Sequence, residues 1–451
     1  MPGAHRSGQV GALFAAGVQG AAIAAGGFTS LVIARELGAD GTGVYAVGGQ
    51  FVLAMMMLGG LGLRSGIAYE LSAGRLSARA AAIQATVMSA VFGLLAGVAG
   101  FALYEIGSES VFAGISEPLA IALSASVPFA VAWWVLAAIP LAEQDYGAFA
   151  VLQSGTFVVI ALLVVPLALA WGIEGALAAQ AGAFAIAGLA SVIWAVRHTA
   201  AGAAGRWELA DSLRVGLRGW ILEMLQLLTL RPDVIIVAAY GTAADVGVYS
   251  LAVTITTIGW ILPQGLGTVA LPRVAASVAS SATRTGGPPD AEVSKSMAER
   301  ALRHGVLLAL GAGVLVAGLL LLAPLIFGSD FDRTVELGMI MLPGVIALAL
   351  GRVFIALMLG LGRARAVLRI GISIVPAALV AYLLVVPGDG PTGAATVSAA
   401  AYLLTTAAAA LALRRSGLSL SPAALLPRRH DLSEYTGAIR RLLGARRPEA
   451  G

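Results

Sequence analysis

The sequence predicts an all-α integral membrane protein with about 12 transmembrane helices, arranged as two six-helix lobes related by a parallel internal repeat. Composition, the spacing of apolar runs, and the unequal sharing of Arg and Lys between alternate loops predict it. Of 451 residues, 59% are hydrophobic and 12% charged, and the mean hydropathy is +0.91. A soluble domain is about a quarter charged, because its surface needs that many polar groups to stay in water. An oversized core does not remove the deficit, since burial still leaves a surface to cover with polar groups.

A span needs about 20 mainly apolar residues to cross roughly 30 Å at about 1.5 Å per residue. Lipid leaves backbone polar groups no partner but the chain itself, so such runs are helices. The runs fall at 10–34, 44–63, 81–103, 119–141, 149–171 and 175–196 in the first half. Those of the second half fall at 219–240, 248–271, 305–327, 335–359, 368–387 and 392–413. The first run is longer than the apolar core of a signal peptide and is read as a span. The expected domains are an N-terminal lobe over 1–210, a C-terminal lobe over 211–413 and a basic tail over 414–451.

Loop charges set the orientation. With both termini on one side, 24 Arg and Lys residues fall on that face, Arg64, Arg75, Arg79 and the tail arginines among them, against only Arg35 and Arg333 on the other. Glu36, Asp40, Glu105, Glu109, Glu174, Asp245 and Asp330 occupy the Arg-poor loops. The expectation is a multi-pass protein of the cell membrane with both termini cytoplasmic. The net charge of +4 is thus a topology signal and no sign of a nucleic-acid partner.

Gly43-Val44-Tyr45 opens the second span and Gly247-Val248-Tyr249 the eighth. An offset of six helices gives both copies the same orientation, the pattern of parallel-repeat transporters. In the later part, Gly286-Gly287-Pro288-Pro289 is a flexible break in the 273–304 connection. The tail segment 431–443 places Leu432, Tyr435, Ile439, Leu442 and Leu443 on one helical face beside Arg440 and Arg441, which suits a helix lying on anionic membrane lipids.

There is no Cys, and the four His residues form no metal-binding pair, so thiolate chemistry and a His-rich metal site are not expected. No Walker A, dinucleotide-binding or nucleophile-elbow motif occurs. The chain therefore reads as a non-enzyme without a bound cofactor, drawing any work from an H+ or Na+ gradient, the membrane potential or the substrate gradient. Charges inside spans mark function, because each costs about 2.5–3.5 kcal/mol near the bilayer centre even on lenient scales. Leaving aside Glu336 and Arg369 at span ends, four such charges occur: Glu223, Arg231 and Asp233 in the seventh span and Arg352 in the tenth.

Pro232 lies between Arg231 and Asp233 and kinks the helix there. One reading is a polar cavity in which Arg231 binds an anion and Asp233 or Glu223 carries an ion. The other is an internal Arg–carboxylate brace. Gln19, Gln50, Gln84, Gln153, Gln180, Gln226 and Gln264 suit either a hydrated path or bridges between helices. Pro128, Pro140, Pro263 and Pro343 are expected to break spans and to bend helices. Trp133, Trp134, Trp171, Trp220 and Trp260 fall near span ends and read as interface anchors.

The stretch from Arg231-Pro232-Asp233 through Gly247-Val248-Tyr249-Ser250 to Pro263 and Leu271-Pro272-Arg273, with its first-half copy at Gly43–Tyr45 and Leu61-Gly62-Leu63, resembles a known family. It is similar to the polysaccharide biosynthesis, or lipid-linked oligosaccharide flippase, branch of the multidrug/oligosaccharidyl-lipid/polysaccharide (MOP) exporter superfamily. The resemblance implies a MATE-like, V-shaped pair of six-helix bundles working by alternating access. The implied substrate is an undecaprenyl-pyrophosphate-type oligosaccharide moved to the outer leaflet for surface polysaccharide synthesis, with polysaccharide polymerase and glycosyltransferases as partners. Arg231, Arg352 and Gln226 would then bind substrate, and Asp233 or Glu223 would serve ion coupling. The first helix lacks the acidic residue that many drug-extruding relatives carry. Alternatives are a cation-coupled multidrug exporter of the same fold, and a membrane glycosyltransferase or polysaccharide ligase.

Overall fold

A computed structural model describes residues 2–199, 209–259 and 291–415. Trp260, Pro263, Gln264, the Leu271-Pro272-Arg273 motif, the Gly286–Pro289 break and the tail helix proposed over 431–443 lie outside the described residues. Among the described residues every regular element is helical. They are α1 (Pro2–Gly60), α2 (Leu63–Ser72), α3 (Ala78–Gly107), α4 (Glu117–Leu136), α5 (Ala138–Ala142), α6 (Tyr146–Thr199), α7 (Leu209–Leu230) and α8 (Pro232–Tyr240). After these come α9 (Ala243–Gly259), α10 (Ala291–Phe327), a short 3-10 turn (Ser329–Phe331), α11 (Asp332–Gly360) and α12 (Ala364–Arg414).

Seven of these helical stretches are long and apolar enough to cross a membrane. Three contain a glycine with left-handed φ: Gly38 in α1 (φ 65°), Gly172 in α6 (φ 60°) and Gly390 in α12 (φ 55°). In a straight helix, residues eight apart lie about 12 Å apart along the axis. Yet a Cβ on Gly175 would run into the Leu167 carbonyl, and one on Gly393 would sit 2.9 Å from Val385 Cγ1. The chain therefore folds back at each glycine, and each stretch is two spans. Counted with α7–α8 and α9, the helical segments among the described residues come to twelve, in the predicted order.

All three turns read Gly-x-x-Gly: Gly38–Gly41, Gly172–Gly175 and Gly390–Gly393. The first glycine takes a conformation that a Cβ makes costly. The second has no room for a side chain because the returning helix lies against it; at Gly41 the obstacle is the Leu37 side chain.

The chain forms two compact units. The first comprises Met1–Leu251, Ala323–Thr334 and Tyr382–Ala394; the second comprises Ala252–Leu322, Val335–Ala381 and Ala395–Gly451. In the first, α3, α4 and α6 approach through small residues: a Cβ on Gly93 would meet Pro128 Cα at 2.5 Å, one on Gly97 the Ser124 carbonyl at 2.6 Å, and one on Gly188 the Phe129 backbone. Such close approach is the usual means of packing helices in lipid, where no hydrophobic drive separates helix from solvent. The second unit is centred on Leu302, Val353, Phe354, Leu357, Met358, Ala409 and Leu413.

The repeat is visible as a reciprocal contact inside the first unit. A Cβ on Gly43 would overlap the Ala243 carbonyl and lie 2.9 Å from Gly247 N. One on Gly247 would overlap the Ala39 carbonyl. Ala39 and Ala243 are separated by the same interval as Gly43 and Gly247. The two copies therefore meet about a local two-fold axis through the residues that define the repeat.

Arg35 and Arg333, the two arginines expected on the Arg-poor face, are both engaged here. Arg35 donates through Nε to the Ile326 carbonyl at 2.7 Å and through Nη2 to that of Leu325 at 3.3 Å, capping the C-terminal end of α10. Arg333 Nη1 lies 3.1 Å from Asp245 Oδ1, and Asp245 also accepts from the Thr242 N–H and hydroxyl to cap the start of α9.

Three expectations need correction. Trp133 is buried, and Trp134 and Trp220 are half-buried against neighbouring helices, so these three do not stand free at span ends. Trp133 Nε1 donates to the Leu152 carbonyl at 2.7 Å, Trp220 Nε1 to that of Met57 at 2.9 Å, and Trp134 lies beneath Arg64. Each of the two indole N–H groups donates to a carbonyl of a neighbouring helix, a partner that position near a span end does not reveal. Trp171, by contrast, is exposed at its turn. Pro128 and Pro343 lie within continuous helices, while the break in the fourth span comes at Ala137, ahead of Pro140. Finally, helix extends well past the first apolar run, from Pro2 to the Gly38 turn, since regular backbone does not stop where hydropathy does.

Candidate functional site

The seventh span is not one helix. α7 ends at Leu230 and α8 begins at Pro232, with Arg231 between them at φ −134°, ψ −9°. Proline fits the first turn of α8, where its missing N–H costs nothing, and it interrupts the hydrogen-bond ladder of α7. The joint predicted from Pro232 is therefore present, and Arg231 is the residue that makes it. Its backbone N–H still donates to the Leu227 carbonyl at 2.9 Å. Its side chain is half-buried, and among the described residues no ion pair or side-chain hydrogen bond engages its guanidinium.

Asp233 is fully buried in the first turn of α8. Oδ1 accepts from the Val234 N–H at 2.8 Å and Oδ2 from the Tyr249 hydroxyl at 2.7 Å. A carboxylate at a helix N-terminus, with a phenol donating to it, is stabilised by the helix dipole and by charge-assisted hydrogen bonds. Thus Asp233 joins α8 to the repeat tyrosine of α9, and it forms no brace with Arg231. Sequence reasoning singled out both Asp233 and Tyr249 but did not pair them.

Glu223, two turns before Arg231, is half-buried and accepts from the Ser65 hydroxyl at 3.2 Å. It faces α2, a helix too short to register as a span. There α2 and α7 touch backbone to backbone: a Cβ on Gly62 would overlap the Gly216 carbonyl, one on Gly216 the Gly62 carbonyl, and one on Gly66 the Ser212 carbonyl. Arg64 lies in this seam with its Cζ 3.7 Å from the Trp134 ring centroid and 5.8 Å from that of Phe149. Burial pushes the Arg64 guanidinium down to about 10 and the nearby Glu223 charge opposes the fall, so it remains a full cation at neutral pH. Sequence reasoning had counted Arg64 only as a loop charge.

Gln226 is exposed on α7, and Arg352 is half-buried in the second unit, where it interacts electrostatically with Tyr402. The first unit thus brings Glu223 to Arg64 and Ser65, and Asp233 to Tyr249, while Arg231 stands at the joint between them. Among the described residues no group of His, Asp and Glu is suited to hold a metal ion. Several glutamines bridge helices: Gln84 donates to Ser212 at 3.1 Å, Gln153 to the Trp133 carbonyl at 3.1 Å, and Gln19 accepts from Ser154 at 2.7 Å.

The sequence matches no known family profile and no curated protein. Solved structures do match. One is an inward-facing multidrug resistance MATE family transporter of the MOP superfamily, with TM-score 0.68 and 17% identity over 88% of this chain and 94% of that one. Another is the lipid II flippase MurJ in an inward closed conformation, with TM-score 0.72 and 14% identity over 96% and 93% of the two chains. A third is a MOP superfamily transporter from Pyrococcus furiosus, whose binding pocket is described as reversed in polarity and suggestive of a different function. It has TM-score 0.59 and 16% identity over 91% and 95%. At these identities the similarity is one of fold, and it spans nearly the whole of each chain.

Proposed function

Starting from a chain with the fold of the MOP-superfamily exporters, we propose that it flips a lipid-linked oligosaccharide, of the undecaprenyl-pyrophosphate type, from the cytoplasmic to the outer leaflet of the cell membrane. Fold alone does not choose a substrate, since function resides in the site. The observation that carries the reading is the balance of charges in the first unit. Its two intramembrane carboxylates are engaged, Asp233 by Tyr249 and Val234, Glu223 by Ser65. Arg231 at the helix joint has no partner among the described residues. A site with an uncommitted guanidinium and committed carboxylates suits an anion, and Arg offers pyrophosphate the forked donor geometry that Lys lacks. On this reading Arg352 and Gln226 are further substrate contacts, and polysaccharide polymerase and glycosyltransferases are its partners.

Asp233, buried beside the joint, is the proposed coupling carboxylate for H+ or Na+. That same buried acid supports a second reading, a cation-coupled multidrug exporter, because a buried carboxylate that exchanges its ion is what such coupling needs. Arg231 decides between them. Arg231→Ala should abolish flipping of a pyrophosphate-linked sugar while leaving the protein inserted and monodisperse, and Arg231→Lys should keep part of it. Unchanged flipping by both variants would refute the anion-site reading.

A further inference from the structure

Arg64 has an unusual setting. The reciprocal approach of Gly62 and Gly216 fixes α2 on α7, with Gly219 placed so that a Cβ would lie 3.1 Å from Ser65 and with Trp220 hydrogen-bonded to Met57. That lock sets Arg64 and Glu223 on facing helices. The guanidinium rests over Trp134, and a cation over an aromatic face is held without using its N–H donors. Glu223 is near enough for its charge to act on Arg64, yet it makes no direct salt bridge, because its carboxylate is turned to Ser65. No described side chain or carbonyl accepts from the Arg64 N–H groups. Both Arg64 and Trp134 are only half-buried, so the pair is reachable.

We infer that Arg64, stacked on Trp134 and flanked by Glu223, is a capture site for the phosphate groups of the transported lipid, separate from Arg231. The inference rests on the flippase reading. Arg64 follows directly on the second span, at the end predicted to face the cytoplasm, which is the level at which a lipid headgroup would enter from the inner leaflet. Glu223 then acts as a standing negative charge beside the anion. It weakens capture and favours release toward Arg231, eight residues further along the same span.

The signs of the two substitutions are opposite, and a merely structural pair would not give that. The probes are a polyprenyl pyrophosphate in nanodiscs holding the full chain, and soluble inorganic pyrophosphate as a separate arm. Arg64→Gln should weaken polyprenyl pyrophosphate binding by about tenfold or more, the size of one charged hydrogen bond. Glu223→Gln retains the acceptor for Ser65 and should instead tighten binding several-fold while slowing flipping. Binding of the polyprenyl but not the free form assigns the site to a lipid headgroup; equal binding of both assigns it to phosphate alone. If the parent binds the lipid and neither variant alters its affinity, Arg64 is not the capture site and the flippase reading stands. If the parent binds neither probe, both fail.

Discussion

Alanine at Gly43 or Gly247 adds one methyl group to the seam where the repeat copies meet, and its cost can be judged from what that methyl would touch. At Gly43 it would overlap the Ala243 carbonyl oxygen and lie 2.9 Å from both the Ala243 carbonyl carbon and Gly247 N. At Gly247 it would overlap the Ala39 carbonyl oxygen and lie 2.7 Å from its carbon. Carbon contacts are comfortable at about 3.5–4.0 Å, and these obstacles are main chain, so no rotamer change relieves them. The helices must separate, at a cost of about 1–3 kcal/mol for overpacking.

Gly182, on α6, is the control: a Cβ there meets nothing within 4 Å, so alanine should gain up to about 1 kcal/mol in helix propensity. The assay is thermal unfolding of purified protein in detergent, followed by loss of the monodisperse chromatographic peak. Gly43→Ala and Gly247→Ala should lower the midpoint by similar amounts, and Gly182→Ala should leave it unchanged or raise it. The double variant should cost less than the two singles added, since one separation of the helices accommodates both methyls. Gly43→Ala as stable as the parent would refute the reciprocal seam.

Two further outcomes are expected. Tyr249→Phe removes a donor from a fully buried carboxylate and should destabilise the protein by about 1–3 kcal/mol, read as a lower unfolding midpoint; adding Asp233→Asn should recover part of the loss, and additive losses would show that the hydrogen bond contributes nothing. Because the chain has no Cys, single cysteines report its orientation: an impermeant thiol reagent should label Ser110→Cys in intact cells and reach Ser72→Cys only after permeabilisation, and the reverse pattern would invert the topology.

The spans and their order were legible because each is a long apolar run, a signal that survives ignorance of every contact. The turns were not marked by Gly-x-x-Gly alone, since the same spacing occurs inside continuous helix at Gly17–Gly20, Gly97–Gly100 and Gly216–Gly219. Nor was α2 legible, since ten residues with Arg, Ser and Glu among them fall far short of a span. That omission hid the site around Arg64, whose meaning comes from a helix 158 residues away in sequence that brings Glu223 to Ser65. Pro232 announced the joint at Arg231, but helical periodicity gives the direction of a side chain and not its partner. It turned Asp233 away from Arg231 but did not show that Tyr249 holds it. The glycines of the repeat fared best: Gly43 and Gly247 were conspicuous as a recurring motif and proved to be the point where the copies touch.

The measurement that tests the central claim most directly is transport by the reconstituted protein of two fluorescent probes of opposite charge, a pyrophosphate-linked oligosaccharide lipid and an organic cation. The anionic lipid should cross protein-containing vesicles faster than empty ones, Arg231→Ala should remove that excess, and the cation should not move above background. Transport of the cation, with the anionic lipid moving no faster than in empty vesicles, would contradict the account and favour a multidrug exporter.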